Sequence, residues 1–119
     1  MSSDDARVAD WLRDIIENAL AAESYVQGLS LAEFRADRMR IDAAERCLMR
    51  LTEAAIRIGD ARMAEVVPDV PMHQLRGLGN LLRHAYDGID VAVVWATVVD
   101  DLPGFREACE RAVVMRGGN

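Results

Sequence analysis

Lysine is absent from this 119-residue chain, and all fourteen of its basic residues are arginine. No lysine ammonium is therefore available for a phosphate-binding loop, a Schiff base or a general base, and enzyme classes built on a lysine in those roles are excluded. Cysteine is scarce as well. Cys47 and Cys109 are the only two, and neither stands in a paired-Cys or Cys/His metal spacing. Two separate thiols in helical stretches read as reduced core residues of a cytoplasmic protein, in preference to a disulfide. Long apolar runs are missing too. No window approaches the ~20 apolar residues of a membrane span, and the acidic start MSSDDARVAD has no apolar signal core. A soluble chain with no membrane contact is expected. Basic charge is in deficit, with a net charge of −6, which argues against a protein that coats nucleic acid. Any nucleic-acid site must be a local basic patch.

Proline occurs only three times, and about half of the residues are apolar. Alternating β-branched or aromatic runs are few, so the composition favours an all-α fold. The length suits one domain with one core, spanning residues 1–119. A first helix is expected from about Asp5 to Gln27, capped by Ser3 or Asp4, with Val8, Trp11, Leu12, Ile15, Ala19, Ala22 and Val26 on one stripe. Ser30 and Glu33 form a capping box for a short helix through Leu31 and Phe34. A long helix follows from about Met39 to Ile58. Its Ile41, Ala44, Leu48, Leu51, Ala55 and Ile58 repeat as a bundle seam does. Gly59 stops it, and Asp60 is placed to cap a short turn through Met63 to Val67. Pro68 and Pro71 then break the chain. Asp90 caps a further helix, Val91 to about Asp101, in which Val93 and Val99 widen the apolar surface and suggest a dimer contact. Pro103 is expected to begin the last helix, and residues 116–119 to be a flexible tail. Short connections between long helices imply an up-down bundle of four to five antiparallel helices.

The chemistry concentrates in one stretch, Met72 to Asp90, reading MHQLRGLGNLLRHAYDGID. At ~100° per residue, Leu75, Leu78, Leu81, Leu82, Ala85 and Tyr86 fall on one side, before an Asp87-Gly88 turn. His73, Arg76, Asn80, Arg83 and His84 gather on the other. Asn80 and His84 are four apart and stack one above the other. An amide, an imidazole and two guanidiniums on one stripe suit an anion or phosphate site. They also suit an ordinary solvated helix face.

With those residues laid out, the chain resembles HepT-like members of the HEPN superfamily from about Arg7 to Val113. The resemblance rests on IDAAERCLMRLTEAA in the long helix, PDVPMHQLRGLGNLLRHAYDGID in the centre and VVWATVVDDLP after it. The family motif is an Arg, a polar residue that is often Asn, then after a few residues a His, commonly followed by x-Tyr. Asn80, His84 and Tyr86 match it, whereas Gly79 stands where the Arg is expected. The resemblance implies a helical homodimer and a metal-independent endoribonuclease toxin, acting on RNA with tRNA among the candidates and needing no cofactor. His84 and Asn80 would be catalytic, with Arg76 or Arg83 replacing the missing guanidinium. It further implies a minimal nucleotidyltransferase antitoxin that attaches AMP to Tyr86. Gly79 supports an alternative, a catalytically inactive homologue that serves as a dimeric binding partner of the transferase. A purely structural helical adapter is the third reading.

Overall fold

Helix α1 (Ser3–Val26) begins with Asp4 and Asp5, whose carboxylates face the positive end of the helix dipole. Its Val8, Leu12, Ile15, Ala19, Ala22 and Val26 follow three- and four-residue steps and are all buried. Gly28 takes φ 78° just beyond the helix, a left-handed conformation that glycine adopts without strain. This computed structural model describes residues 3–84 and 89–116, and every regular element among them is helical. The expected all-α bundle is what forms.

The capping box closes as expected. Glu33 N–H donates to Ser30 Oγ at 3.1 Å, and Ser30 N–H donates to Glu33 Oε1 at 2.8 Å. The backbone bond to Ser30 is the main reason the Glu33 carboxyl is held below the ordinary glutamate value. Short helix α2 (Leu31–Arg35) thereby sets Phe34 into the core, where its ring meets Trp95 at a centroid distance of 5.7 Å. Helix α3 (Arg38–Ile58) is capped by Asp37, which accepts from Arg40 N–H. It buries the whole predicted seam along α1.

Helix α4 (Asp60–Val66) starts differently from expectation. Gly59, at φ 91°, occupies the cap position, and Asp60 is the first helical residue. The Asp60 carboxylate turns outward to Arg76 instead of capping its own helix. Helix α5 (Met72–His84) follows Pro71, whose carbonyl accepts from Leu75 N–H at 3.0 Å. Pro71 therefore stands just outside the helix, where its missing N–H costs nothing. The stretch Ala85 to Gly88, which holds Tyr86 and the predicted turn, lies outside the described residues.

Helix α6 (Val91–Ala96) is capped by Asp90, which accepts from Ala92 N–H at 2.9 Å, as predicted. Pro103 stands in the first turn of the last helix, as predicted, but no loop separates that helix from α6. A π-helical turn, Thr97–Asp101, leads straight into α7 (Leu102–Met115), with helical backbone angles at Thr97 and Leu102. Proline lacks the N–H for the normal ladder and its ring crowds the carbonyl four residues back. Widening one turn, so that Leu102 N–H reaches Thr97 carbonyl, lets the rod continue.

Helix α7 lies against α1. Arg106 fastens the pair, donating from Nε to Glu23 at 2.6 Å and from Nη1 to Glu110 at 2.7 Å. Arg116, expected in the tail, instead ends α7 and pairs with Asp5 at the start of α1. Both thiols are buried and unpaired in the core. Burial raises the Cys47 value and pushes Cys109 up to about 12. Unfolded, a thiol ionises near its ordinary value, so the unfolded chain releases a proton first as pH rises. Native stability should consequently fall between about pH 9 and 12. A Cys109→Ala variant should show a shallower alkaline fall in its urea midpoint, and an unchanged slope would refute this. No helix among the described residues is long and apolar enough to cross a membrane.

Candidate functional site

Helix α5 packs chiefly on α3, so only one side of it is covered. Met72, Leu75 and Gly79 are buried there, while Leu78 and Leu82 are half-buried. Leu81, expected in the apolar face, is 46% exposed. The apolar stripe is wider than the contact α3 provides. Its uncovered part borders a groove of about 430 Å³ lined by Leu78, Leu81, Val93, Phe105, His73 and Asp101. Val93 and Val99 are likewise exposed, in keeping with the predicted extra apolar surface.

Gly79 lies at a close approach between the two helices. A Cβ at this position would lie 3.0 Å from Thr52 Oγ1 and 3.4 Å from Thr52 Cβ. Thr52 is fully buried and its hydroxyl donates to the Met49 carbonyl at 2.9 Å, so it has little freedom to yield. Position 79 thus faces α3 and not the solvent. Gly79→Arg should therefore destabilise the fold by about 1–3 kcal/mol through overpacking. A Thr52→Ala background should recover most of the lost melting temperature. Equal losses in both backgrounds would show that the contact is not the cause.

On the open side, the polar stripe is arranged as its spacing predicted. Asn80, Arg83 and His84 are all exposed at the last turn of α5. Arg83 Nη2 donates to Asn80 Oδ1 at 3.0 Å. Arg83 Nη1 lies 3.3 Å from the point a Cβ on Gly79 would occupy, so the guanidinium folds back across the glycine. Arg76, one turn earlier, is engaged elsewhere. Its Nε donates to Asp60 Oδ1 at 3.1 Å and its Nη2 pairs with the same carboxylate, tying α5 to α4. His73 stands at the far end of α5 beside the groove. Tyr86 falls outside the described residues. Among the described residues, no group of three or more His, Cys, Asp or Glu is placed to hold a metal ion.

Two contributors were not found by sequence reasoning. Asp60 was read as a cap, and Thr52 was not singled out at all. The available signal was Gly79 itself, since a glycine inside a helix often marks a close approach to another backbone.

The chemical capacity of the stripe is clear. An imidazole can exchange protons and a guanidinium can hold a phosphate, and one of each is exposed in the last turn of α5. The fold and this face define a small helical-bundle protein with an Arg–Asn–His stripe on one outer helix. The Ribonuclease HepT-like family model matches residues 15–112, and the chain belongs to that family. It is similar to a Thermococcus cleftensis protein named a probable ribonuclease HepT, at 29% identity over 102 residues, covering 86% of this chain and 92% of the relative. A Methanocaldococcus jannaschii protein whose name proposes an RNase is 32% identical over 103 residues, covering 87% of this chain and 94% of that one. No solved structure matches the chain significantly.

Proposed function

We propose that this chain is a cytoplasmic, metal-independent endoribonuclease toxin acting as a homodimer, with His84 as the acid/base group. One observation carries the reading: an exposed imidazole follows directly on a guanidinium held by Asn80. In the proposed reaction the 2′-oxygen of a ribose attacks the adjacent phosphorus while the P–O5′ bond breaks. An imidazole takes the 2′-hydroxyl proton, and a second acid returns a proton to the leaving 5′-oxygen. The guanidinium offsets charge that grows on the phosphoryl oxygens. The products are a 2′,3′-cyclic phosphate and a 5′-hydroxyl, and the step needs no redox partner. A second copy of His84 across a two-fold axis is a natural source of the other proton-transfer group. Val93, Leu81 and the groove between them offer apolar surface for that pairing.

Control by a minimal nucleotidyltransferase antitoxin fits the same face. AMP on Tyr86 would place a bulky anion two residues from His84 and exclude an RNA phosphate by charge and volume. The rival reading, an inactive dimeric partner of the transferase, draws on Gly79. No side chain is present at the position where the family resemblance expects arginine.

Incubating the purified protein with total RNA and tRNA in EDTA decides between them. Cleavage leaving 2′,3′-cyclic ends, and lost after AMP attachment by a partner transferase to wild type but not to Tyr86→Phe, supports the toxin. Intact RNA with a folded dimer supports the binding partner.

A further inference from the structure

Among the described residues, seven of the fourteen arginines form ion pairs with carboxylates. Arg13 pairs with Asp10, Arg38 with Asp42, Arg76 with Asp60 and Arg106 with Glu23. Arg83 differs. Its hydrogen-bond partner is the neutral amide of Asn80, and no carboxylate among the described residues forms an ion pair with it. A guanidinium oriented by an amide keeps its full positive charge for an incoming anion. Orientation by a carboxylate would cancel that charge. The fold also provides the room, because Nη1 lies across the bare Cα of Gly79, where even a methyl group would come within 3.3 Å.

We infer that Gly79, Asn80 and Arg83 form one anion seat, in which Arg83 binds the phosphate of the RNA strand. Asn80 and Gly79 are positioning residues. Asn80 fixes the direction of the guanidinium, and Gly79 leaves the space it folds into. Gly79 is then a component of the site and not a gap in it. The inference rests on the ribonuclease reading for the identity of the anion, but its geometry does not depend on turnover.

The test is binding of a 2′-O-methyl RNA oligonucleotide, which has no 2′-hydroxyl proton to lose and so separates binding from cleavage. Fluorescence anisotropy at one fixed low ionic strength would compare wild type with four variants, each checked for its melting transition. Arg83→Gln should weaken binding by tenfold or more, the size expected for hydrogen bonds to a charged group. Gly79→Ala combined with Thr52→Ala should weaken it about fivefold or more. Removing the Thr52 hydroxyl relieves the contact with α3 while the new methyl still crowds Nη1. Thr52→Ala alone, and Arg13→Gln as a control for lost charge, should stay within about twofold. Arg83→Gln binding no more weakly than Arg13→Gln overturns the seat. Unchanged binding by the Gly79/Thr52 double variant overturns the part given to Gly79. Wild type that binds in this pattern yet never cuts ordinary RNA leaves the seat standing and removes the nuclease reading.

Discussion

His84→Ala is expected to lower RNA cleavage by roughly 10²–10⁴-fold, the range lost when a positioned proton-transfer group is removed. The imidazole sits at the end of α5, exposed, directly after the residue that carries the guanidinium. Among the described residues of that turn, His84 carries the one imidazole; Asn80 is an amide and Arg83 a guanidinium. The fold should be indifferent to the change, because an exposed side chain at a helix end has little packing to lose. His73→Ala is the useful comparison. It removes the other histidine, which lies eleven residues away and so roughly 16 Å along the helix axis. Its effect should be far smaller. The measurement is single-turnover cleavage of a defined RNA in EDTA, beside a thermal melt of each variant. A His84→Ala protein that keeps more than a third of the wild-type rate, with the same product ends, would sink the catalytic assignment.

Phe34→Ala should cost about 3–5 kcal/mol of stability, the usual loss for a fully buried aromatic truncated in a core. The ring is completely inaccessible and touches Trp95, so it joins α2 to the α6 region. Helix α2 has only five residues, too few to persist without tertiary packing. Its capping box directs the chain, but Phe34 supplies the only fully buried side chain of that helix. Loss of the ring should lower the melting temperature by roughly 10–20 °C, scaling from typical unfolding entropies for a domain of this size. Phe34→Leu should lose much less, since it keeps most of the volume. A decrease below 1 kcal/mol for Phe34→Ala, in a two-state urea titration, would show that α2 is held by other means.

The helices were legible because their apolar positions repeat at helical spacing and their ends carry recognisable caps. Ser30 with Glu33, and Asp90 before α6, are local hydrogen-bonding devices involving residues two or three apart. Such signals survive in a single sequence. Pro103 marked the start of the last helix correctly but gave no sign that the rod runs unbroken from α6. Proline forbids a normal helical hydrogen bond, yet a π-helical turn can absorb the conflict.

The stripe of Asn80, Arg83 and His84 could be placed on one face from spacing alone. Which guanidinium serves it could not. Arg76 and Arg83 are close to equivalent on a helical wheel, and only the packing of α4 brings Asp60 to one and leaves the other to Asn80.

The sequence by itself determined the helical elements, most of their buried faces and the shared side of the polar residues, because each depends on neighbours within a few positions. Tertiary structure alone decided that Gly79 presses on Thr52, that Asp60 takes up Arg76, and that Leu81 stays open to solvent. Those outcomes turn on contacts between segments distant in the chain, and helical periodicity carries no record of them.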